Sequence, residues 1–267
     1  MAEKTEIAWT DSTFNPWWGC TKVGAGCDNC YAAALDKRTG GNHFAGFSII
    51  ASAPKNLSDT YWQKPLQWQR KAAKAGIRYK VFCGSMCDWA DKNGDPAQRE
   101  RLWDLISATP NLDWQLLTKR ASNIKKYLPT DWGEGYPNVW LGVTVENRRQ
   151  GLRRMDMLKT IPAQVRFLSI EPLLEDLGEL NLDGIHWVIV GGESGAKARA
   201  MQTAWVDNIF QQCQQQSVPF FFKQWGTWGQ DSKRRAVAAN GSLYQCREFK
   251  EFPREHDQES VPYSFLQ

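Results

Sequence analysis

The stretch VWLGVTVENRRQGLRRMDMLKTIPAQVRFLSI, residues 139–170, decides the fold class. It opens on an apolar run, Val139 to Val143, and closes on a second, Arg166 to Ile170. Neither run alternates in polarity, which suits strands buried on both faces of a parallel sheet. Between them, residues 147–158 place Leu152, Met155 and Leu158 at helical spacing. Strand, helix and strand in this order make one βα repeat.

The same unit recurs on either side. Residues 80–85, 114–118, 186–190 and 219–223 are further short apolar runs. Residues 96–108 follow Asp95, a good N-cap with Pro96 at the first helical position. Residues 203–216 carry Trp205, Ile209, Phe210 and Cys213 on one helical face. Ile7-Ala8-Trp9-Thr10 offers one more strand before Cys20. The pattern predicts an α/β chain, a partial or full (β/α) barrel with parallel strands, over residues 1–226. Residues 227–267 lose the period and predict a short C-terminal extension packed on that barrel.

The 267 residues are 42% hydrophobic and 23% charged, a globular composition that excludes collagen-like, low-complexity and membrane-bundle classes. No apolar run reaches the roughly 18 residues of a membrane span. The first residues lack an apolar segment after their charges, so the expectation is a cytoplasmic protein with no membrane partner. The net charge of +4 permits an anionic small molecule or nucleic acid as partner without requiring one.

Seven cysteines in such a chain argue for metal or chemistry rather than a disulfide framework. Three of them stand in NPWWGCTKVGAGCDNCY, residues 15–31, with the spacing Cys-x6-Cys-x2-Cys. Cys20, Cys27 and Cys30, among the glycines 19, 24 and 26 and just before a helix over 31–38, suit one metal centre. Iron–sulfur ligation by three thiolates leaves one iron open. A zinc site would need a fourth ligand such as His43, Cys83 or Cys87, and unligated buried cysteines are the remaining reading. Cys83 and Cys87 flank a strand end and fit either the site or the core. Cys213 reads as core, and Cys246 has no evident partner.

Strand ends in a parallel barrel converge on one mouth. Those of this chain carry Ser85, Asp88, Lys119, Arg120, Glu146, Glu171, Glu193 and Lys223. Lys119, Arg120 and Lys223 suit a substrate phosphate or carboxylate. The bland reading is pairing among these charges, Glu171 with Arg166 or Lys119 and Glu146 with Arg148. The loop Gly191 to Gly195 could cradle a phosphate but lacks the lysine of a P-loop. With only His43, His186 and His256 present, histidine-based hydrolysis is not expected, and His186 reads as structural. Basic clusters at 119–126, 148–154 and 233–235 suit either nucleic-acid binding or solvated faces.

The cysteine segment resembles that of the radical S-adenosylmethionine (SAM) enzymes. More closely, the chain is similar to the phage Gp37/Gp68-type family, through Ile7 to Thr10, Asn15 to Cys20, Gly26 to Tyr31, Leu117 to Arg120, Val139 to Val143, Arg166 to Pro172, Trp187 to Gly195 and Phe222 to Gly226. The resemblance implies a radical-SAM-type (β/α) barrel, with a 4Fe-4S cluster on Cys20, Cys27 and Cys30. It also implies SAM as cofactor and an electron donor as partner. The amine, ribose and adenine of SAM would then draw on Ser85, Asp88, Glu146, Glu171 and Glu193. The substrate would be an unknown molecule, a nucleotide or nucleic-acid base among the candidates. Two features depart from the common radical-SAM pattern: six residues separate the first two cysteines, and the aromatic residue follows the last cysteine as Tyr31. Gly191-Gly192-Glu193 shares letters with a SAM-amine element but follows a later strand. The competing reading is a nucleic-acid-binding protein with a structural zinc or iron–sulfur site.

Overall fold

A computed structural model describes residues 5–45 and 53–253. Seven strands form its main sheet: β1 (Ser12–Phe14), β2 (Tyr79–Cys83), β3 (Leu112–Thr118), β4 (Val139–Thr144), β5 (Val165–Ile170), β6 (Trp187–Gly191) and β7 (Phe220–Gln224). Their order in space is their order in sequence, and every pairing is parallel. Among the described residues β1 and β7 remain the two edges, so the architecture is an open half-barrel rather than a closed one. The main helices are α1 (Tyr31–Arg38), α2 (Lys64–Ala75), α3 (Pro96–Ser107), α4 (Arg153–Lys159) and α5 (Thr203–Gln215). None is long and apolar enough to cross a membrane.

The non-alternating strands have the cause expected of them, since both faces of the sheet are covered. Outward-facing Val81, Leu116, Leu141, Leu168, Val188 and Phe222 join the core shared with Trp68, Leu102, Ile106, Leu158 and Ile209 of the helices. Inward-facing Phe82, Phe167, Trp187, Ile189 and Phe221 form a second, aromatic cluster on the concave face. Trp9 completes that cluster, with ring centroids 4.6 Å from Phe82 and 6.2 Å from Trp187. The N-terminal residues 7–10 are therefore a plug and not the expected strand. Trp9 is drawn into the aromatic floor, where its carbonyl accepts from Gln115 Nε2 at 3.2 Å. The pairing edge begins later, at β1.

The helix expected over 147–158 is split. Arg148–Leu152 forms a wide π turn before α4, and the Asn147 side chain caps it by accepting from Gln150 N at 2.9 Å. The residues after β7 close one side of the core. Phe222 N donates to Phe249 O at 2.9 Å, Tyr244 and Phe249 are buried, and Phe252 stacks near Trp187 at 5.1 Å. Residues 254–267, part of the expected extension, lie outside the described residues.

At the end of β6 the chain passes very close to the end of β7. A Cβ on Gly192 would lie 1.8 Å from Trp225 O, a backbone atom that no rotamer change can move. Gly192→Ala is expected to cost about 1–3 kcal/mol by forcing the two strand ends apart. Urea unfolding against wild type measures it, and a loss under about 0.5 kcal/mol would contradict the close approach.

Candidate cofactor site

A cavity of about 390 Å³ opens at the C-terminal ends of the strands. Its floor is Ile7, Trp9, Phe82 and Leu117, the upper edge of the aromatic cluster. The strand ends supply Ser85, Asp88, Lys119, Thr144, Ser169, Glu171, Glu193 and Lys223. The remaining wall is the cysteine segment: Cys20, Cys27 and Cys30 all face this one cavity, with Gly26, Asn29 and Tyr31.

The cysteine segment has little regular structure of its own, only the short pieces Cys20–Thr21 and Ala25–Cys27. Gly19 starts it at φ +116°, a conformation that side chains other than glycine rarely adopt. Four side chains then tie it to successive strand ends. Arg120, after β3, donates to Thr21 O and reaches Cys20 Sγ at 3.5 Å. Gln150, after β4, donates to Val23 O at 3.1 Å. Arg199, after β6, donates to Ala25 O at 2.9 Å. Asn29 reaches outward to Glu193 Oε2 at 3.0 Å and Lys197 O at 2.9 Å. Asp91 adds a fifth tie, accepting from Thr21 N at 2.9 Å.

Several strand-end charges expected to meet ligand are engaged in or beside these ties. Asp88, expected beside the SAM amine, has both carboxylate oxygens taken. Oδ1 accepts from Thr118 Oγ1 and Ala90 N, and Oδ2 from Lys119 N and Arg120 Nη1. Arg120, expected on substrate, is buried between Asp88 at 2.7 Å and Asp91 at 2.9 Å and does not line the cavity. Glu146 lies fully buried beneath Gly26, outside the cavity, and pairs with Arg154 at 2.5 Å rather than with Arg148. Its Oε1 has no partner among the described residues. Glu193 lines the cavity, but both its oxygens are held by Arg199 and Asn29. Gly192 N and Gly195 N bond to Gln224 O and Thr227 Oγ1, so the expected phosphate cradle has two of its amides occupied.

Other expected residues do face the cavity with capacity to spare. Glu171 pairs with Lys223, on the neighbouring strand ends, and not with Arg166 or Lys119. Lys119 makes no ion pair with a described residue. Ser85 exchanges hydrogen bonds with Asn15 and stands beside the Tyr31 hydroxyl, which donates to Ser85 O at 2.7 Å. Cys87 is a cavity wall residue, whereas Cys83 is buried in the outer core and Cys213 likewise. His43 is engaged with Asp36 at 2.9 Å, and His186 Nδ1 accepts from Arg166 N. Neither His43 nor Cys83 is therefore placed as a fourth metal ligand. Sequence reading missed Asp91, Gln150 and Arg199 as anchors, because nothing local marks a side chain that acts on a distant loop.

Glu193 is the clearest titrating element of this frame. Burial works to raise its pKa, but hydrogen bonds from Arg199 and Asn29 outweigh it and hold the carboxyl below the usual value of 4.5. A carboxylate with a depressed folded pKa stabilises the fold fully above its unfolded value, and that contribution fades as pH falls through the folded value. The stability difference between wild type and Glu193→Gln should be largest at neutral pH and shrink steadily below about pH 4.5. Denaturant unfolding across pH 3–7 (a range of about four units) reads it, and a pH-independent difference would contradict the clasp.

Among the described residues no three or more His, Cys, Asp or Glu side chains are gathered closely enough to hold a metal ion. A multi-iron cluster asks for something different, three separated thiolates around one space. Cys20, Cys27 and Cys30 are all free thiols lining one such space. Burial pushes the Cys20 thiol up, with Arg120 opposing, so it is a neutral thiol until coordination removes its proton. The donor set fits an iron–sulfur cluster.

A family model described as "Protein of unknown function (DUF5131)" matches residues 4–253. The chain belongs to this family. No functionally curated protein matches the DUF5131 chain. Among solved structures it is similar to a spore photoproduct lyase variant with bound AdoMet and dinucleoside spore photoproduct. That match has a TM-score of 0.46 and 10% identity, over 78% of this chain and 64% of that one. A second is spore photoproduct lyase complexed with dinucleoside spore photoproduct, with a TM-score of 0.43 and 10% identity over 73% and 58%. The DUF5131 chain thus spans less than two thirds of the length of either.

Proposed function

We propose that this DUF5131 protein is a radical-SAM-type iron–sulfur enzyme, with its cluster on Cys20, Cys27 and Cys30. The observation that carries the reading is the convergence of these three free cysteines on the cavity at the strand C-termini. Held there by Cys20, Cys27 and Cys30, a 4Fe-4S cluster with SAM would supply one-electron reductive chemistry. The chain's own residues do the rest. The five ties on residues 20–30 hold the thiols in place, and the aromatic floor closes the cavity from below.

Lys119 meets anionic groups in this cavity. Burial works to lower its pKa, but the neighbouring Cys27, Glu146 and Cys30 outweigh that and raise it. Glu171 and Lys223 form an adjacent plus–minus pair suited to the amine and carboxylate of an amino-acid-like group. Ser85, Thr144 and Ser169 add hydroxyls for a ribose or substrate polar group. The reading agrees with the likeness to phage Gp37/Gp68-type proteins drawn from the sequence. It carries with it a cytoplasmic location, an electron donor, and residues 1–226 as the barrel unit with 227–267 as its extension.

Anaerobic reconstitution with iron and sulfide tests it. The expected result is a brown protein that, once reduced, converts SAM to methionine and 5′-deoxyadenosine. A colourless protein holding one tightly bound zinc would overturn it and favour the nucleic-acid-binding metalloprotein instead.

A further inference from the structure

The loop after β6 does more than hold the cysteine segment. Glu193 and Ser194 line the cavity, and residues 195–199 continue outward from its mouth. The segment after β7 folds back onto this loop: Trp228 Nε1 donates to Ala198 O at 2.7 Å, and Arg234 donates to Ala196 O. The basic run Lys233-Arg234-Arg235, which the cofactor reading leaves unused, is thereby brought against the stretch that carries Lys197, just beyond the cavity-lining Glu193 and Ser194. Lys197, Lys233 and Arg234 are all exposed. Arg235 is paired with Asp231, while Lys197 and Arg234 make no ion pair with a described residue. On the rim at Asn29, whose side chain binds Lys197 O, the cysteine segment leads into Tyr31. Tyr31 is 57% exposed as a residue while lining the cavity, and its hydroxyl is fixed on Ser85 O at the cavity wall.

We propose that this rim is a docking surface for single-stranded nucleic acid, its phosphates on Lys197, Lys233 and Arg234 and a base stacked on Tyr31. Cations that track a backbone, next to a half-exposed aromatic side chain anchored at its hydroxyl, are the pairing of groups that single strands use. A purely anionic peptide would use the cations and ignore the ring. A base stacked at Tyr31 stands at the mouth of the cavity, so the surface would present a strand to the same site. The surface itself requires neither cluster nor SAM, and its test is independent of them.

Fluorescence anisotropy of a labelled oligothymidylate against the full-length chain, in air and without SAM or reductant, measures binding over a series of salt concentrations. Affinity is expected to fall with salt, with a log–log slope of about 0.7 per phosphate contact for a single strand. The double variant Lys197→Ala with Lys233→Ala should lower that slope by about 1.4. Tyr31→Leu should weaken binding at least about 5-fold with the slope unchanged. The double variant Arg70→Ala with Lys74→Ala removes the same charge from the exposed face of α2 and should leave the slope unchanged. An equal loss of slope in both double variants, no loss in either, or full affinity in Tyr31→Leu overturns the proposal. Loss of SAM cleavage with binding retained would instead count against the enzyme reading alone.

Discussion

Replacing any one of Cys20, Cys27 and Cys30 by alanine is expected to abolish cluster binding, taking iron from about four per chain to near zero. The effect is all-or-none because three thiolates are the full protein contribution and two leave a second iron without its ligand. The tertiary structure sharpens the controls. Cys213→Ala removes a thiol buried behind the sheet and Cys246→Ala an exposed one, and neither faces the cavity. Both should keep the full iron content. Cys87→Ala is the more searching control, since Cys87 shares the cavity wall without belonging to the spaced triad. It too should retain the cluster. Iron and sulfide analysis with visible absorption reads all six variants. Retention of the cluster in Cys27→Ala, or its loss in Cys87→Ala, would force reassignment of the ligands.

Arg120→Ala is expected to destabilise the fold by about 3–5 kcal/mol, the usual consequence of removing one member of a buried ion network. Arg120 is 7% exposed in its side chain, Asp88 7% and Asp91 3%, so little solvent is available to take its place. Burial alone would lower its pKa, but Asp88, Cys20 and Asp91 outweigh that and keep the guanidinium firmly charged. Without it, two carboxylates would remain side by side in a low-dielectric wall, and Thr21 O would lose its donor. Arg120→Lys should recover only part of the loss. A point charge on a flexible stem cannot serve Asp88, Asp91 and Thr21 O together as the planar fork does. Urea unfolding followed by tryptophan fluorescence reads the stability. Alkylation of Cys20 by iodoacetamide reads the second consequence, a faster reaction as the cysteine segment loosens. A loss under about 1 kcal/mol with unchanged alkylation would show that the segment is held by its other ties.

Much of the frame is legible in the chain itself. The six apolar runs from residue 80 to residue 223 each fall on a strand, and residues 31–38 are the helix expected after the cysteines. These features are written locally. A strand covered on both faces has to be apolar at consecutive positions, and a helix start is marked by caps within a few residues. The spacing of Cys20, Cys27 and Cys30 is local too, so a metal-binding segment could be read without knowing what it faces. The plug at Trp9 was misread as a strand for a related reason. A short apolar run looks alike whether it pairs at an edge or fills an aromatic floor.

Which partners the strand-end charges take is visible only in the tertiary structure. Asp88, Arg120 and Glu193 read as ligand-binding groups because they stand where a mouth forms, yet they form the frame of the cysteine segment. The contacts that decide this join residues 100 positions apart in Arg120 with Cys20 and 164 apart in Asn29 with Glu193. No local pattern records such a pairing. A buried charge must find a partner of opposite sign or a hydrogen-bonding group, and which one it finds depends on the neighbours that folding supplies. The sequence by itself determined a parallel βα chain with three cysteines at its start. Only the folded sheet decided that it stays open, that an aromatic floor fills its concave face, and that Glu171, Lys119 and Lys223 remain facing the cavity.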